Sequence, residues 1–129
     1  MPRRRTFHRT DRLNRQIQQV LAVALQMETR EEALRQVIIT AVEVTRDLSL
    51  ARVHYFPMAG QPDNGEMETL EGAFERARGF LRTRLGQELR LRHTPDLRFH
   101  LDTGITSGRR VEEILHDLDL PPVDESEEP

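Results

Sequence analysis

The sequence contains no cysteine, and all nineteen of its basic residues are arginine. Without cysteine the chain can form no disulfide, no thiolate nucleophile and no Cys-ligated zinc or iron–sulfur centre, so its stability must come from packing. Without lysine it can host neither a Schiff-base lysine nor the lysine of a P-loop, which removes two large enzyme classes. A bias toward arginine codons would empty the chain of lysine equally well. Also missing is any apolar run near the roughly 18 to 20 residues of a membrane-spanning helix. The start, Met1 to Asn14, has arginines but no apolar block behind them, so it does not read as a secretory signal. A soluble cytoplasmic protein is expected.

What is present is charge, unevenly placed. Charged residues make up 32% of the 129 positions and apolar ones 36%, where globular chains average roughly 25% charged. That composition fits one domain with a small core and a densely ionic surface. Residues 1–110 carry all 19 arginines against 14 acids, whereas residues 111–129 carry eight acids and no base. Two stretches are locally basic by five charges: Met1 to Arg15 and Arg76 to Arg98. An all-arginine basic set suits phosphate contact, because the guanidinium keeps its charge and forks onto two oxygens at once.

Apolar positions at helical spacing from Leu13 to Leu25 predict a first helix from Thr10 to near Glu28, with Thr10 as N-cap. Val37 to Thr45 and Leu50 to Phe56 are β-branched and aromatic runs joined by Arg46-Asp47-Leu48-Ser49, an antiparallel hairpin signal. Pro57 to Gly65 is a loop, and Asp63 followed by Glu66 predicts a capping box. The stripe Leu70, Ala73, Phe74, Ala77, Leu81, Leu85 predicts helix as far as about Arg92, before Thr94-Pro95. Gly72, Gly79 and Gly86 fall inside it, each costing roughly 0.8 to 1 kcal/mol relative to alanine. A break at Gly79 into two shorter helices is therefore expected. Leu97, Phe99 and Leu101 alternate with polar residues as a third strand, and Arg109 to about Leu118 predicts a last short helix. The order helix, strand, strand, helix, kink, helix, strand implies an α+β domain whose three-stranded sheet carries its helices on one face.

The stretches VEVTRDLSLARVHYF (residues 42–56), ARGFLRTRLGQELRLRHTPDLRFHLD (residues 77–102) and SGRRVEEIL (residues 107–115) resemble the ribosome-binding factor A family of bacterial small-subunit assembly factors. The most specific parts are Asp47-Leu48-Ser49-x-Ala51-x-Val53 and Arg90-x-Arg92-x-x-Pro95-x-Leu97-x-Phe99. The resemblance implies a single type II KH-like domain in which an Ala-x-Gly break replaces the usual Gly-x-x-Gly loop, here at Ala77, Arg78 and Gly79. It further implies binding to 16S rRNA in the immature 30S subunit near the decoding region, help with late maturation, and dissociation, with no reaction of its own, no cofactor and no small-molecule substrate. A monomer is expected. The acidic end and the loop at Pro57 to Gly65 depart from the family pattern.

A helix starting at Gly79 would aim free N–H groups and its positive dipole end at a phosphate, flanked by Arg78 and Arg82. Arg76, Arg84, Arg90, Arg92 and Arg98, and the arm residues Arg3, Arg4 and Arg5, would add backbone contacts. The competing reading is a solvated helix face whose arginines pair with Glu75 and Glu88. His93, Asp96, His100 and Asp102 invite a metal or acid–base site, but Pro95 separates them and no third element closes the set, so neither a metal site nor an enzyme is expected. A rival from another class is a protein-interaction module using the sheet face (Arg52, Phe56, Arg98, His100) or the acidic tail. The expected division is a flexible basic arm over 1–9, the domain over 10–118 and a disordered acidic tail over 119–129.

Overall fold

The computed structural model describes residues 9–104 and 114–118. The chain begins with α1 (Arg9–Val23), whose last turn widens into a π-helical turn over Ala24–Glu28. The helix thus ends at Glu28, where its periodicity predicts. It buries Ile17, Leu21, Ala24 and Leu25, the stripe expected of a one-sided helix. A 3₁₀ turn, Glu32–Leu34, which sequence reasoning passed over, buries Leu34 and leads into the sheet.

Strands β1 (Val37–Val44) and β2 (Leu50–Pro57) form the predicted antiparallel hairpin. In its turn Oδ1 of Asp47 accepts bonds from the Ser49 backbone N–H (3.0 Å), the Ser49 hydroxyl (2.8 Å) and the Thr45 hydroxyl (2.8 Å). These bonds hold the Asp47 carboxyl below its usual pKa and hold Leu48 in the left-handed region at φ 61°, a conformation that costs a non-glycine residue ~1 kcal/mol. Strand β3 (Asp96–Leu101) lies parallel to β2, giving the order β1-β2-β3. The crossover between β2 and β3 is α2 (Asn64–Leu89).

A capping box starts α2 as Asp63 and Glu66 predict: Asp63 Oδ1 accepts from the Glu66 N–H (2.8 Å) and Glu66 Oε1 from the Asp63 N–H (2.9 Å). The helix stops at Leu89, three residues before the expected Arg92, because Arg90 turns left-handed (φ 51°) and donates its N–H to the Gly86 carbonyl. The expected break at Ala77-Arg78-Gly79 is corrected: α2 is one helix of 26 residues and runs through Gly79. The glycine cost is real but small beside burial of Leu70, Ala73, Phe74, Ala77, Leu81 and Leu85 on one continuous stripe, each large side chain contributing roughly 1.5 to 3 kcal/mol.

The main core lies between the helices and one sheet face. Phe74 of α2 stacks on Phe99 of β3 (ring centroids 4.2 Å apart) and tilts against Tyr55 of β2 (4.6 Å). A bulge at Thr40 shifts the register between Ile39 and Ala41. It turns Ile39 and Val42, three positions apart, toward this same core, which strict alternation forbids. Ile38 and Phe56 point away from it and form a second, smaller cluster with Ala22, Ile114 and Leu118. Residues 114–117 are helical, the described part of the predicted last helix. The expected basic arm and acidic tail lie outside the described residues.

Candidate nucleic-acid interface

All four α2 arginines point at this chain's own acceptors. Arg76 forks onto Glu31 (Nε to Oε2 3.1 Å, Nη2 to Oε1 2.9 Å). Arg84 joins Glu28 (2.8 Å), Glu88 (3.2 Å) and the Gln87 side-chain oxygen (3.0 Å). These bonds raise both guanidinium pKa values, and the bond from Arg76 lowers that of Glu31. Arg78 pairs with Glu75 and lies 4.0 Å from Asp96. Among the described residues Arg82 meets no acid; it donates to the backbone carbonyls of Pro95 (3.1 Å) and Thr94 (2.9 Å), clipping the α2–β3 connection to the helix. The pairing of Arg78 with Glu75 and Arg84 with Glu88 is the one the solvated-face reading anticipates.

The proposed phosphate cradle therefore changes. Gly79 sits in mid-helix, so its N–H belongs to the helical ladder and no positive dipole end is exposed there. Ala77 is buried core. Gly79 itself is exposed, and a Cβ added to it would meet nothing within 4 Å. Arg3, Arg4 and Arg5 lie outside the described residues.

The remaining candidates, Arg90, Arg92 and Arg98, are exposed and hold no ion pair among the described residues, and the same holds for Arg46 and Arg52. The fold collects these five at one end of the sheet. Arg46 is in the β1–β2 turn, and the turn's Ser49 carbonyl accepts the N–H of Asp96 at the start of β3 (2.9 Å). Arg90 and Arg92 lie in the short connection that delivers Asp96. Arg52 and Arg98 are register partners on β2 and β3, so their backbones run about 4.8 Å apart. The Val44 N–H bonds the Asn14 side chain (2.9 Å), which brings the early part of α1 to this same end. Guanidinium groups so arranged can take phosphate oxygens in pairs without giving up an existing partner.

One row along the sheet, His54 and His100 are partners with ring centroids 5.7 Å apart, and His54 lies 3.2 Å from Glu43. Phe56 does not belong to this open surface: it is buried beneath the 114–118 segment, which removes it from the sheet face offered to a protein partner. The four metal candidates are dispersed. Asp102 is engaged by Thr40 (2.5 Å) and the Gly104 N–H (2.9 Å) at the far end of β3 from Asp96. Among the described residues no group of three potential ligands is placed to hold a metal ion. Sequence reasoning missed Glu28 and Glu31 as the groups that commit Arg84 and Arg76, since they lie 56 and 45 positions away and leave no local signal.

A sequence model of the family described as ribosome-binding factor A matches residues 9–115. The chain is 38% identical over 111 residues to ribosome-binding factor A of Chromohalobacter salexigens, a match covering 86% of this chain and 84% of that one. Its fold is similar to the crystal structure of ribosome-binding factor A from Thermus thermophilus (TM-score 0.57, 24% identity, 73% of this chain and 97% of that one). It is also similar to a homology model of the Thermus thermophilus factor fitted into the electron cryo-microscopy map of a 30S complex (TM-score 0.54, 21% identity, 71% and 93%). These neighbours share the KH-like fold, which the mixed three-stranded sheet backed by α1 and α2 reproduces. The family match covers the helices, the sheet and the end of the sheet where these five exposed arginines gather, and the chain belongs to the ribosome-binding factor A family.

Proposed function

We propose that this chain binds 16S rRNA in the immature small ribosomal subunit as a monomer, assists late maturation and processing of the 30S particle, and then dissociates without catalysing a reaction. The observation that carries this reading is the set Arg46, Arg52, Arg90, Arg92 and Arg98, exposed at one end of the sheet and without an ion pair among the described residues, in a chain of a family named for ribosome binding. A Thermus thermophilus member placed in a 30S complex supports the same partner. The contacts supplied are to phosphates, which position the protein and give affinity, and the rigid fold selects RNA by shape. Arg76, Arg78, Arg82 and Arg84 act in this account as the frame: they fix α2 against the Glu28–Glu31 segment and the 94–96 loop. The arm arginines Arg3, Arg4 and Arg5 would extend the contact.

The test is charge reversal at Arg90 and Arg92, whose side chains hold no ion pair or hydrogen bond among the described residues. Arg90→Glu with Arg92→Glu is expected to weaken binding to small-subunit RNA and lower the salt slope by about one per lost contact, with unchanged thermal unfolding. Wild-type affinity and slope would place the interface elsewhere. Reversing Arg78 and Arg82 instead would confound binding with loss of their bonds to Asp96, Thr94 and Pro95.

A further inference from the structure

Arg52 and Arg98 stand side by side on neighbouring strands of the open sheet face, both exposed, with no ion pair among the described residues. Like charges directly across a ladder destabilise a sheet unless something anionic spans them. Glu43, the cross-strand partner of Arg52 on β1, lies instead 3.2 Å from His54. The same face is closed at its other end, where Leu118 and Ile114 cover Phe56 and Ile38. The chain continues from Leu118 as DLPPVDESEEP, with five acids and no base.

We propose that residues 119–129 dock in cis on this open face, with Asp124 and Glu125 against Arg52 and Arg98. Reach and charge both favour it. Arg52 is four residues along β2 from Phe56, or about 13 Å. Six residue steps separate Leu118 from Asp124, and six steps at an extended rise reach up to about 19 Å, enough to cover that distance. The docking stands without reference to RNA. Its consequence, that an RNA phosphate backbone must displace the tail to reach Arg98, rests on the function proposed above.

The absence of cysteine makes the test simple, because Ser126→Cys provides the only thiol of the full chain for a nitroxide label. The amide signals of Arg52, His54, Arg98 and His100 are expected to lose most of their intensity beside the label. They should recover in about 1 M salt, where the screening length is ~3 Å, and when Asp124→Asn, Glu125→Gln, Glu127→Gln and Glu128→Gln remove the tail's charge. Undiminished signals on β2 and β3 would overturn the proposal. So would loss that survives neutralisation, or loss that arises only between chains when labelled and unlabelled protein are mixed. Failure on any of these grounds leaves the RNA reading intact, since that reading is tested separately by the Arg90 and Arg92 reversal.

Discussion

Gly79→Ala is expected to stabilise the free protein by about 0.8 to 1 kcal/mol, the difference between the two residues inside a helix. Three features of the structure support the full value. Gly79 is in the interior of α2, well over two turns from either end. Its φ is not in the left-handed region, and its new Cβ would meet nothing within 4 Å. The substitution therefore removes backbone entropy from the unfolded chain and adds no clash. Urea unfolding should show the midpoint rising with an unchanged slope, and thermal unfolding should rise by roughly 3 to 5 °C for a domain of this size. Gly86→Ala is the control. Its Cβ would lie 3.1 Å from the Thr94 hydroxyl, and Arg82 clips the Thr94 carbonyl in place, so the neighbour cannot retreat freely and the gain should vanish or reverse. If Gly79→Ala destabilises the protein, the chain breaks at that position and the continuous helix is wrong.

Three further outcomes follow from particular contacts. Asp63→Ala removes the arm of the capping box in which the Asp63 carboxylate accepts the Glu66 N–H and should cost about 1 kcal/mol in chemical unfolding, with Asp63→Asn or Asp63→Ser recovering much of it. Arg82→Ala removes two charge-assisted bonds to the Thr94 and Pro95 carbonyls and should cost roughly 1 kcal/mol at this exposed site; hydrogen exchange should speed up in residues 90–96 more than in β1. The Asp47 carboxyl is held below its ordinary 3.8 by bonds from Ser49 and Thr45. Its contribution is thus present above pH 3.8 and lost as pH falls through the lowered value. In an acid titration of stability, Asp47→Asn should flatten the response in that range.

Much of the architecture was legible because its signals are local. Alternation over residues 50–56 and 96–101 needs only a half-buried sheet, and Asp63 with Glu66 is a cap written in four residues. The failures have physical causes as well. Glycine propensity argued for a break at Gly79, but propensity is a weak term beside six buried positions on one stripe. The bulge at Thr40 is invisible in VIITAVEVT, where apolar residues occupy both parities of the strand and leave no alternation to interrupt. The candidate site was the least legible part: arginines of α2 that look like a phosphate patch are committed to Glu28, Glu31 and the 94–96 backbone through contacts that only folding creates. Arg90, Arg92 and Arg98 kept their place as candidates, and Arg46 and Arg52 joined them through strand register and the Ser49–Asp96 bond.

The central claim, that this chain acts on the immature small subunit, is tested most directly by sedimenting cell lysate and locating the protein. The protein is expected to travel with immature small subunits, to be depleted from mature ones, and to move to the top of the gradient when Arg90 and Arg92 are both reversed to glutamate. Protein found only at the top of the gradient in the wild type would contradict it.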